Sequence, residues 1–102
     1  MAKVNKLESD FLEAARSGDL ETLHQMLKKD GDLIIARDAE GRTALHWAAY
    51  HNYYRMAQIL LAHQAEMHTE DRGGKIPLQL AEEQGHREVA QLLREPEWPK
   101  LD

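Results

Sequence analysis

A turn followed at once by a helix start occurs twice in this chain, and the two copies lie 33 residues apart. The first runs Asp38-Ala39-Glu40-Gly41-Arg42-Thr43-Ala44-Leu45-His46-Trp47-Ala48-Ala49. The second runs Asp71-Arg72-Gly73-Gly74-Lys75-Ile76-Pro77-Leu78-Gln79-Leu80-Ala81, matching the first at Asp38/Asp71, Gly41/Gly74, Leu45/Leu78 and Ala48/Ala81. Asp38 and Gly41 suit a turn, Thr43 can cap a helix, and Pro77 falls in a first helical turn, where a missing N–H costs little. Self-similarity at a fixed period restricts the fold severely. A single helix pair cannot bury both of its apolar sides, so such units stack, and about three are the usual minimum for a stable array.

The remaining periodicity supplies helix pairs. A first helix is expected from about Glu8 to Arg16, with Phe11, Leu12, Ala14 and Ala15 on one face and Leu7 and Val4 extending the stripe backwards. Ser17-Gly18-Asp19 stops it. A second helix is expected from Leu20 to Lys29, with Leu20, Leu23, Met26 and Leu27 inward and two lysines at the end favoured by the macrodipole. Leu33-Ile34-Ile35-Ala36 reads as an extended connector, because turn formers flank it and no similar partner strand exists. Two more pairs follow, Ala44 to His51 with Tyr54 to Ala62, and Pro77 to Gln84 with Arg87 to Arg94. Met56, Ile59, Leu60 and Leu61 form the packing face of one outer helix, and Val89, Ala90, Leu92 and Leu93 that of the other. Leu45 and Leu78 are expected in the core. Pro96 and Pro99 end the helical pattern.

These residues resemble the ankyrin repeat, a 33-residue turn and helix pair with a Thr-Pro-Leu-His-x-Ala signature. The signature stands here as Thr43-Ala44-Leu45-His46-Trp47-Ala48 and, more worn, as Ile76-Pro77-Leu78-Gln79-Leu80-Ala81. The resemblance implies an all-α short solenoid of about three stacked helix-turn-helix units. Residues 1–37 form an N-terminal capping unit, 38–70 the full repeat, 71–95 a C-terminal capping unit, and 96–102 a tail. Phe11 to Asp19 aligns on the middle unit at a spacing of 34, placing one extra residue in the link that follows. Arg94, where the middle unit has Leu61, marks the last repeat. The family also implies that Thr43 and His46 bond to fix their turn, and that the third unit, with Ile76 and Gln79, has lost that bond. Gly74 and Pro77 complete the structural motif.

A formal net charge of -5 opposes non-specific attraction to nucleic acid and favours neutral or basic partners. The chain has no cysteine, hence no disulfide or thiolate site, and no apolar run of membrane-spanning length. A soluble cytoplasmic protein is expected. None of the six histidines forms a His-Glu-x-x-His pattern. His46 fits the turn-fixing role, the others a surface position, and a histidine metal site is the weakest alternative. Gly73-Gly74-Lys75 lacks the other parts of a phosphate loop, and Glu82 and Glu83 read as a solvated helix face. No catalytic constellation or cofactor is implied.

Trp47, Tyr50 and His51 share one side of their helix by spacing. In an ankyrin-like array that side and the turn tips line the concave binding surface. The resemblance therefore implies a non-enzymatic module that binds another protein through Glu40, Arg42, Trp47, Tyr50, His51, Arg72, Lys75, Glu83 and Gln84. Trp47 can equally serve by packing under the neighbouring turn. A self-associating scaffold, as a homodimer rather than a monomer, is the alternative. Trp98, between Pro96 and Pro99, fits either an anchor over the last helix pair or a docking segment, with the anchor preferred.

Overall fold

The computed structural model describes residues 5–95. Among these are six α-helices and no strand: α1 (Lys6–Ser17), α2 (Leu20–Lys29), α3 (Ala44–His51), α4 (Tyr54–Ala62), α5 (Pro77–Glu83) and α6 (Arg87–Arg94). The inner helix α3 packs between α1 and α5, and the outer helix α4 lies over α2 and α6. The core follows the expected stripes, with Phe11, Leu23, Leu45, Met56, Leu60 and Val89 fully enclosed. Val4 and Trp98 lie outside the described residues.

Helix ends follow local chemistry. Asn5 starts α1 a little earlier than expected, because its Oδ1 accepts the Glu8 backbone N–H at 2.7 Å. Gly18 then closes α1 in the left-handed region, at φ +80°, with its N–H turned back to the last carbonyls. Asn52 does the same for α3 at φ 61°, which explains how that unit manages without glycine there. The helix α5 ends one residue before expectation, with Gln84 as its cap.

Three expectations are corrected. Leu7 is 47% exposed, since no described element covers the first turn of α1. The connector is a 3-10 helix over Gly31–Ile35. Asp30 initiates it by accepting from the Asp32 and Leu33 amides, at 3.1 and 3.2 Å. A three-residue period aligns Leu33 with Ala36, and both are buried while Ile35 is 72% exposed. With no neighbouring strand, local carbonyls are the available partners for these amides. Finally, Leu78 is only partly buried, because among the described residues α5 has an inner-helix neighbour on one side alone.

The Tyr53 ring joins the first two units. Its hydroxyl donates to the Arg16 carbonyl at 3.3 Å, and its ring lies so near Gly18 that a Cβ there would come within 2.9 Å. Gly18→Ala should therefore lower stability by about 1 to 2 kcal/mol, combining left-handed strain with displacement of Tyr53. Urea unfolding of the two proteins checks this; equal midpoints would show that the ring moves aside freely.

Candidate functional site

Each long turn is built on one aspartate. Asp38 Oδ1 accepts the Glu40 and Arg42 amides, both at 2.9 Å. Asp71 Oδ1 repeats the pattern with Gly73 and Lys75, at 2.8 and 3.0 Å. Their second oxygens differ. Asp38 Oδ2 accepts the Trp47 indole N–H at 2.9 Å, whereas Asp71 Oδ2 faces the Arg42 guanidinium at 3.4 Å. Burial opposes ionisation of Asp71, but the Lys75 and Gly73 amides and Arg42 outweigh it and hold its carboxyl below the usual range.

The two turns are tied together. The Arg72 amide donates to the Glu40 carbonyl at 2.9 Å, and its guanidinium donates to the Ala39 carbonyl at 3.0 Å. Arg37 makes the reverse connection, to the Glu70 carbonyl at 2.6 Å and the Gly41 carbonyl at 3.1 Å. Gly41 permits the approach: it has φ +75°, and a Cβ there would sit 3.1 Å from the Arg72 nitrogen.

Below the turns, Thr43 and His46 form the expected bond and extend it. His46 Nδ1 accepts the Thr43 backbone N–H at 3.1 Å, which leaves the ring proton on Nε2 to be donated to the Lys75 carbonyl at 2.9 Å. His46 thus staples the middle unit to the third. Burial, the largest influence, holds its pKa below the usual value despite the Lys75 carbonyl. The third unit keeps part of this arrangement. Gln79 Oε1 accepts the Ile76 amide at 2.9 Å, while among the described residues the bond to a threonine hydroxyl and the staple to a further unit have no counterpart.

On one side of α3, four residues make one cluster. Trp47 and His51 stack with ring centroids 5.8 Å apart, and Tyr50 meets both edge-on at 6.0 and 5.0 Å. The Arg42 guanidinium lies over Trp47 at 4.9 Å and Tyr50 at 5.6 Å. Tyr53 extends the stack behind His51 at 5.1 Å. Burial, followed by His86 and Arg16 nearby, holds His51 below its usual pKa. All of Arg42, Trp47, Tyr50 and His51 are half-buried, so each is fixed yet still reaches solvent.

The other residues expected at a site lie in the two long turns and at the end of α5. Glu40, Arg72, Glu83 and Gln84 are exposed. Lys75 and Glu83 pair at 2.6 Å, and Glu82 pairs with Arg94 at 2.9 Å, so both carboxylates of that helix engage cations rather than water alone. Sequence reading placed Asp38 and Asp71 in their turns without their bonding roles, and missed Arg37. The recurrence of aspartate before each turn glycine was the available signal for the first two. Trp47 takes the structural role expected of it, its N–H being used in the turn, while its ring belongs to the cluster.

The histidines are less peripheral than expected. His86 Nδ1 lies 3.2 Å from the Ala49 carbonyl, and His24 meets His63 edge-on across α2 and α4, with centroids 5.9 Å apart. Among the described residues no three metal-ligating side chains converge, and no helix is long and apolar enough to cross a membrane.

Comparison with known sequences agrees with this geometry. A family model described as ankyrin repeats, in 3 copies, matches residues 11–99. The potassium channel AKT1 of Oryza sativa subsp. indica is 38% identical over 81 residues, covering 79% of this chain and 9% of the channel. The 26S proteasome non-ATPase regulatory subunit 10 of Dictyostelium discoideum is 34% identical over 89 residues, 86% of this chain and 38% of the subunit. The ARF GTPase-activating protein GIT2 of Rattus norvegicus is 30% identical over 96 residues, 94% of this chain and 13% of its own length. The chain thus spans 9% to 38% of these relatives.

Proposed function

Because the chain belongs to the ankyrin-repeat family, we propose that it is a non-enzymatic module, acting in the cytoplasm, that binds a partner protein through its turn tips and the concave face of its inner helices. Ankyrin repeats are generally protein–protein interaction modules. The observation that carries the finer reading is the cluster of Arg42, Trp47, Tyr50 and His51. Arginine and large aromatics at the centre of a patch are the residue types that dominate binding energy. Here they sit on the central unit, below two turns that are bonded to one another.

The direct test is capture of a partner from the source cell by the intact chain and by Tyr50→Ala. Tyr50 contacts Trp47, His51 and Arg42 without bridging units, so its removal should leave thermal unfolding close to the parent. Capture should weaken by roughly 1 to 3 kcal/mol, or about 5- to 150-fold. Undiminished capture would move the binding face elsewhere.

A further inference from the structure

A groove of about 430 Å³ opens between α1 and the first long turn, lined by Leu12, Glu13, Arg16, Asp38, Glu40 and Trp47 among others. Its repeat-related counterpart, between α3 and the second turn, is filled by the chain itself. There the Arg42 guanidinium lies against Asp71, Trp47 and Tyr50. At the spacings of 33 and 34 residues, these three positions correspond to Asp38, Glu13 and Arg16. The first groove keeps the aspartate of a site that accommodates an arginine, while Glu13 and Arg16 stand where that site has its two aromatics, and position 8, which corresponds to Arg42, is a glutamate.

The charge balance differs in the same direction. Asp38 is hydrogen-bonded by two amides and an indole, all neutral donors, and among the described residues no cation forms a salt bridge with it. Glu13 replaces the aromatic wall supplied by Trp47 in the other groove, and Glu40 stands exposed at the rim. Arg16 is turned towards Glu13 and Arg72 reaches the Ala39 carbonyl at the groove wall, so three carboxylates stand against these two guanidiniums. Trp47 and Leu12 provide apolar surface for the methylene stem of a long side chain.

We propose that this groove receives the basic side chain, preferentially an arginine, of an extended segment of the partner protein. A guanidinium can bridge Asp38 and Glu13 with its planar fork of donors, which an ammonium matches less well. The proposal rests on the reading that the chain binds a protein on its concave face. It adds the partner's chemistry.

The probe is N-acetyl-arginine amide, titrated into the intact chain and followed by proton–nitrogen NMR, with the neutral isostere N-acetyl-citrulline amide as control. Arginine should shift the amides of Glu13, Arg16, Ala39 and Glu40 and the Trp47 indole N–H, and citrulline should not. Added salt should reduce the shifts. The double variant Glu13→Gln, Glu40→Gln should bind roughly five-fold more weakly with unchanged circular dichroism. Equal responses to both compounds, shifts spread evenly to Glu66, Glu70 and Glu88, or undiminished binding by the double variant would each overturn the proposal. If the arginine response is absent while Tyr50→Ala still reduces capture, the basic side chain is refuted and the protein-binding reading stands.

Discussion

Leu45→Ala should destabilise the protein by about 2 to 5 kcal/mol, the range for emptying an enclosed leucine site. Leu45 is 1% exposed, and it lies in the inner helix held between α1 and α5. Neither neighbour can close the void without losing contact with the rest of α3. A chain of this size has a total stability of roughly 5 to 15 kcal/mol, so at the lower end the loss runs from nearly half of it to all of it. Leu78→Ala, at the matching position of the third unit, should cost distinctly less, about 1 to 2 kcal/mol, because that side chain is only partly covered. Urea midpoints of the two variants provide the comparison. Equal losses would contradict the end position of α5.

His46→Ala should cost about 2 to 4 kcal/mol near pH 7.5. It removes a fully buried ring and leaves both the Thr43 amide and the Lys75 carbonyl without their partner. His46→Gln is milder, because the third unit already uses glutamine at this position to accept the cap amide. The two variants also bear on acid sensitivity. Burial holds the native His46 pKa below the unfolded value of about 6.5. Above that pH the ring is neutral in both states and its stabilisation is fully present. As pH falls from 6.5 to the native value, the unfolded chain takes up the proton first, and stability declines. Protonated Nδ1 could no longer accept the Thr43 amide. Urea midpoints at pH 7.5 and pH 5 should therefore differ more in the parent than in His46→Gln, which keeps the same-signed contribution of His51 but has lost that of His46. An unchanged difference would assign the acid sensitivity to other groups.

The helices were legible because their limits are local. Gly18 and Pro77 act within a turn of their own positions, and the stripes around Phe11, Met56 and Val89 record burial at helical spacing. The 3-10 helix was not legible in the same way. Its apolar run, Leu33-Ile34-Ile35, suits an extended chain equally well, and the decision came from Asp30 and from the lack of a strand to pair with. At the site, spacing alone brought Trp47, Tyr50 and His51 together. The contacts of Arg42 with Asp71, His46 with Lys75 and Arg37 with Glu70 join residues 29 to 33 positions apart. They exist only because one unit stacks on the next. Leu78 was misjudged for the converse reason: matching Leu45 in sequence could not supply the second neighbour that encloses Leu45.

The cross-links between the two long turns have a consequence for recognition. Free loops of this length lose backbone entropy when a ligand arrests them, at a cost of about 1 to 2 kcal/mol per residue. In this chain Arg37 and Arg72 already clamp the backbone from Ala39 to Gly41 against that from Glu70 to Arg72. That entropy is lost on folding, so a protein bound at these turns, as proposed, would meet a preorganised surface and forfeit little of its contact energy in immobilising it. Affinity can then be adjusted at the exposed turn side chains without altering the backbone that carries them.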